Sequence, residues 1–260
     1  MARLCSALPY NEAMKTSNPV FRESTFARPS AYALPGQAMT INGTIHKTGI
    51  LLLCVLATAL WTWNRFYTDG IEAVGGLIMA GAIGGLIMAL VTVFKKEWAP
   101  FTSPVYALLE GLALGGVSAI AELRFPGIAV QAVMLTFGTC MCMLLAYRSG
   151  LIRATDKFKA GIVAATGGIA LIYVASFFLG FFGIQIPGIF GNGLIGIAFS
   201  VIVVGIAALN LVLDFDFIER GAANGVPKYL EWFAAFGLMV TLIWLYLEIL
   251  RLLSKLRSRR

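Results

Sequence analysis

The chain has 260 residues, 59% hydrophobic and 13% charged, with mean hydropathy +0.84 and net charge +7. Soluble domains are about 45–50% apolar and about 25% charged, so an ordinary water-soluble domain is excluded. The Lys and Arg residues lie between apolar runs and at the C-terminus, which reads as topology signals and contacts to anionic lipid, not nucleic-acid binding.

Residues 1–46 are polar, contain Pro9, Pro19, Pro29 and Pro35, and have no apolar run. They predict a mostly disordered tail without a signal-peptide core. Met14, in "MKTSNPVF", is a second candidate for the first residue. Seven apolar segments follow, at 47–64, 71–94, 101–122, 127–147, 159–183, 192–213 and 229–253. Each is about 20 residues, the length that crosses about 30 Å of hydrocarbon. The fold expected is an all-α membrane protein, a seven-helix transmembrane bundle over 47–255, with a basic tail at 256–260.

The first segment ends at "WTWNRFY", an aromatic interface belt. The second holds GGLIMA twice, at 75–80 and 84–89. Gly76, Ala80 and Gly84 share a face at i, i+4 spacing, which predicts close packing of helices in lipid. Cys54, Cys140 and Cys142 lie inside apolar runs and read as packing residues, and the single His46 excludes a bis-histidine haem. Among the loops, the side shared with the N-terminus holds eight Lys and Arg residues against two on the other. That puts the N-terminus inside. Arg251, Lys255, Arg257, Arg259 and Arg260 argue the other way. Either seven spans leave a basic tail outside or the last segment does not fully cross.

Charged groups inside a bilayer are costly and tend to face a bundle interior or water. In "LNLVLDFDFIERG", Asn210 and Asp214 share a helical face, and Asp216 points about 200° away from Asp214. Asp214 is therefore the inward candidate. Asp216 reads as a solvated or capping group that pairs with Arg220 at the interface. The alternative is that the helix ends before Asp214 and all these carboxylates are wet. Glu110, beside Gly111, Gly115 and Gly116, falls near mid-membrane and should face protein. Glu248 has Arg251 one turn on as a local partner. Lys95 and Lys96 end the second span as a flank.

The stretches "SNPVF", "MTINGTIHKTG", "YALLEGLALGGVSA", "FPGIAVQAVMLTFGT", "AALNLVLDFDFIE" and "LYLEILRLL" resemble the Bax inhibitor-1 family, in particular its bacterial YccA-like branch. The resemblance covers about residues 14–255. It implies a bundle whose last helix is surrounded by the other six, in a bacterial cytoplasmic membrane. It also implies a pH-sensitive calcium leak. An acid near the end of helix six, here Asp214, shares a proton with an acid in helix seven, here Glu248. A basic latch ends helix two, here Lys95 with Lys96 beside it. This chain has Glu248 for the usual Asp and Lys for the usual Arg, exchanging a bidentate fork for a point charge. Thirty-four residues separate Asp214 from Glu248. They can meet only if residues around 219–236 stay largely outside the bilayer or helix six continues beyond it. Glu110 is the rival partner.

In that reading Asp214 and Glu248 are the protonatable pair and hold calcium transiently, with no other cofactor; the partners are lipid, cations and protons. Two carboxylates are far short of the six to eight oxygens calcium takes, so the ion keeps water and passes through. The first alternative is a non-conducting regulator that binds a membrane protease or stress-response partner. The second is a proton-coupled transporter. An enzyme is not expected: there is no Gly-x-Gly-Asp stretch, and no mid-span Lys for retinal in the seventh segment, only Lys255 near its end.

Overall fold

The computed structural model describes residues 38–183 and 191–259. The greater part of the predicted tail, with Met14, lies outside them. Among the described residues there are seven long helices: α1 (Ile41–Asp69), α2 (Ile71–Phe94), α3 (Ala99–Arg124), α4 (Ile128–Arg148), α5 (Asp156–Phe181), α6 (Leu194–Ala223) and α7 (Leu230–Ser258). A 3-10 turn, Lys96–Trp98, joins α2 to α3. All seven helices are long and apolar enough to cross a membrane. The protein is an integral membrane protein, and Leu53, Leu60, Leu86, Leu171 and Phe177 are among the large side chains left on its outer face.

Several helices outrun their apolar stretches. Thr40 caps α1, its hydroxyl accepting from Gly43 N–H at 2.9 Å, so residues 41–46 belong to the helix and not to the tail. The aromatic belt at 61–67 lies within α1, which an Arg65–Asp69 pair at 2.7 Å accompanies to its end. Gly70, at φ 88°, then turns the chain. α6 does not stop at 213. It continues through Asp214 and Asp216 to Ala223, which overturns the reading in which those carboxylates lie beyond the helix. α7 takes in residues 256–258 and is unbroken for 29 residues, about 43 Å. It is therefore long enough to cross fully.

α7 sits at the centre. Its apolar window is 72% buried, against 11% for α5. It packs chiefly on α1, α3, α4 and α6, while α2 lies outside α3 and α5 outside α6. Phe233, Phe236, Met239 and Leu245 carry its core contacts, with Tyr106 edge-on to Phe236 at 4.9 Å.

Close approach in lipid needs small residues. A Cβ on Gly111 or Gly115 would stand 2.4 Å from Val55 O or 2.3 Å from Ala59 O, both in α1. The expected small-residue face of α2 is shifted. Gly76 and Ala80 are exposed. The buried glycines are Gly81, against the Leu109 carbonyl, and Gly85, against Glu110.

Candidate functional site

The buried ionisable groups form three stations along the bundle. The first is at the end where α1 and α7 both begin. Met39 N–H donates to Val226 O at 2.7 Å, and Ala38 bridges Pro227, so the approach to α1 is strapped to the turn before α7. Glu231, fully buried in the first turn of α7, takes Thr40 N–H at 2.9 Å and Thr40 Oγ1 at 3.0 Å, and pairs with Lys47. Lys47 also lies over the Trp232 ring at 5.7 Å. Gly43 makes room: a Cβ there would be 2.3 Å from the Glu231 carboxylate.

The second station is on α6. Asp214 is 1% exposed. It shares the α6 stripe of Gly196, Ser200, Ala207, Leu211 and Ile218, which faces α7 and the core. Asp216 points the other way, as the 100° step requires. It is not solvated as expected. Only 7% of it is exposed, Lys159 of α5 reaches it at 2.6 Å, and Arg220 adds the anticipated i, i+4 pair at 3.0 Å. Asn210 turns to α5, donating to Thr166 Oγ1 at 2.8 Å. Glu219 pairs with Tyr147 of α4.

The third station is near the far end of α7. Glu248 is 2% exposed and pairs with Arg251 at 2.9 Å, the local partner foreseen for it. Tyr173 of α5 donates to it at 2.8 Å. Two turns past Glu248, Lys255 donates to Gly196 O at 3.0 Å and Ser200 Oγ at 2.9 Å.

These contacts fix the register of α6 against α7. The two helices run antiparallel, and Lys255 is level with Gly196 and Ser200. Asp214 is then level with about residue 239, and Glu248 is nine residues further along, about 13 Å. The α5 contacts agree. Thr166 meets Asn210 and Lys159 meets Asp216, so Tyr173, which holds Glu248, is level with about residue 203 of α6. Between the two carboxylates lie Ala207, Ala208, Leu211, Leu242 and Leu245, all at most 8% exposed.

The structure therefore does not bring Asp214 and Glu248 together. Of the two residues of the expected latch, Lys95 is exposed at the end of α2, and Lys96 lies over Phe233 of α7 at 5.5 Å. Glu110 is half-buried and faces Gly85 of α2, away from both acids. The cation that α5 brings to Asp216 is Lys159, counted in the sequence as a loop charge. Its signal was position. A cation near the start of a helix opposes the macrodipole, so its presence there asks for a carboxylate.

A family model described as Bax inhibitor 1 like matches residues 18–258. Neither curated proteins nor solved structures give a match.

Proposed function

The chain belongs to the Bax inhibitor 1 like family, and on that premise we propose that it is a pH-sensitive cation leak, with calcium as the ion and Asp214 as the proton-responsive group. The N-terminus and the Lys47–Glu231 station are then on the cytoplasmic side, as the loop charges indicate. The observation that carries the reading is the place of Asp214: an acid 1% exposed, on the face of α6 that meets the central helix. Charged groups are retained in such positions chiefly where ions or protons pass.

In this reading the described state is closed. The apolar layer of Leu211, Leu242 and Leu245 separates the Asp214 level from the Glu248 level. Proton uptake or release at Asp214 changes the charge on the α6–α7 seam and so biases the packing of that layer. Asp214 and Glu248 act as successive stations, not as one shared-proton site. A cation meets one carboxylate at a time and keeps most of its water, which suits passage over storage.

The test is calcium flux into liposomes carrying the full chain, followed across the acid-to-neutral range. Asp214→Asn should remove the pH dependence. An unchanged pH profile in that variant overturns the proposal.

The same layer of buried leucines favours a second reading, a non-conducting regulator that binds a membrane protease or stress-response partner. Wild-type flux equal to that of protein-free liposomes at every pH selects it.

A further inference from the structure

A cavity of about 320 Å3 opens where the end of α3, the start of α6 and the last turns of α7 meet. Its polar lining is Arg124, Asn192, Arg251, Ser254, Lys255 and Ser258. Three of these six carry a positive charge and none is acidic. Among the described residues, Glu248 is the carboxylate that pairs with one of them, Arg251, at 2.9 Å.

The three cations are held differently. Arg251 is oriented by Glu248 and Tyr173, at 2.9 and 2.7 Å. Lys255 is 5% exposed, and its Nζ donates to Gly196 O and Ser200 Oγ. Arg124, the last residue of α3, is exposed and makes no ion pair or hydrogen bond among the described residues. The N–H groups that open α6 have no side-chain cap and lie just past Asn192. Helix-end electrostatics explains a Lys in the last turn of α7. It does not explain Arg251, two turns before that end, or the gathering of all three around a cavity.

Guanidinium forks bind tetrahedral oxyanions through paired N–H donors, and a lysine adds a point charge. The volume is at the low end of the range for small-molecule sites, about 300–1,000 Å3. That accommodates a phosphate group with a small substituent. We propose that this cavity is a phosphate-binding site, occupied by free phosphate or by the phosphodiester of a lipid headgroup. It is separate from the Asp214 station and does not depend on the leak reading.

The experiment uses the purified full chain and two variants, Arg124→Gln and Lys255→Gln. In detergent, the thermal unfolding midpoint is followed against inorganic phosphate. In a second arm, the protein is repurified from vesicles of pure phosphatidylcholine or of phosphatidylcholine mixed with phosphatidylglycerol, and the retained lipid is counted by native mass spectrometry. A saturable rise in midpoint supports the site if Arg124→Gln raises the half-saturating phosphate concentration about tenfold, the loss of one charge-assisted hydrogen bond, while leaving the phosphate-free midpoint unchanged. Retained phosphatidylglycerol that both variants lose supports the same site and identifies the lipid as the source. A non-saturating rise equal in all three proteins is a general salt effect. If that occurs and lipid retention is the same in all three, the proposal is overturned.

Discussion

Lys159 and Asp216 meet at 2.6 Å inside the protein, one near the start of α5 and the other two turns before the end of α6. Lys159 is 1% exposed and Asp216 7%. Removing one member of a buried pair leaves an uncompensated charge, which costs about 3–5 kcal/mol. Arg220 also reaches Asp216, so Lys159→Met should fall at the low end, about 3 kcal/mol. The double variant Lys159→Met with Asp216→Asn removes both charges and should recover most of that loss. Unfolding in detergent checks both, and a double variant no more stable than the single one would show that the pair is not what is being lost.

Gly43 lies in the first turn of α1 because Glu231 occupies the space where a side chain would be. That carboxylate is pinned by Thr40 and Lys47, so it cannot simply swing aside. Gly43→Ala should destabilise by about 1–3 kcal/mol. Gly49, in the same helix, has nothing within 4 Å of a Cβ. Gly49→Ala should be neutral or stabilising by up to about 1 kcal/mol, since alanine is the better helix former. Thermal unfolding of the two variants should move in different directions.

Gly111 and Gly115 hold α3 against the backbone of α1, whereas Gly138 in α4 has nothing within 4 Å. In lipid such close contact supplies helix association directly. Gly111→Ala and Gly115→Ala should each cost about 1–3 kcal/mol, and Gly138→Ala should not. Resistance to proteolysis in detergent, followed with temperature, should rank the three in that order.

The seven spans and the family were legible in the sequence because hydropathy needs no knowledge of neighbours; α2 is found at the residues expected. The ends of α1 and α6 were not legible, for one reason. Charges at 47, 214 and 216 look like the edge of a membrane only while their partners are unseen. Lys47 meets an acid 184 residues away, and Asp216 meets Lys159 across 57. The same limit applied to faces. Small residues in α2 recur so often that spacing alone allowed Gly76, Ala80 and Gly84, while α3 selects Gly81 through its backbone and Gly85 through the Glu110 side chain. Within the α6 acids, rotation along a helix separated Asp214 from Asp216 correctly, but burial of Asp216 depends on Lys159 of α5, and the pairing of α5 with α6 is not visible in either segment alone.

The separation of Asp214 from Glu248 gives a sharper test than any single substitution. Carboxylates that share a proton titrate as a unit, and the effects of changing each are strongly coupled. The register of α6 and α7 puts these two about 13 Å apart along the bundle, with Leu211 and Leu245 fully buried between them. Sites beyond about 7–10 Å with no shared partner add to within about 0.5 kcal/mol, and none of the contacts of Glu248 with Tyr173 and Arg251 reaches the level of Asp214. A double-mutant cycle of Asp214→Asn and Glu248→Gln should therefore be additive in unfolding free energy. The cycle of Lys159→Met and Asp216→Asn, measured alongside, should couple by more than about 1 kcal/mol. In flux, Asp214→Asn should flatten the pH profile, and Glu248→Gln should lower the rate while keeping the profile. Coupling above about 1 kcal/mol between Asp214 and Glu248 would mean that the two acids meet in a state with a different α6–α7 register, and that the apolar layer between them is the part that moves.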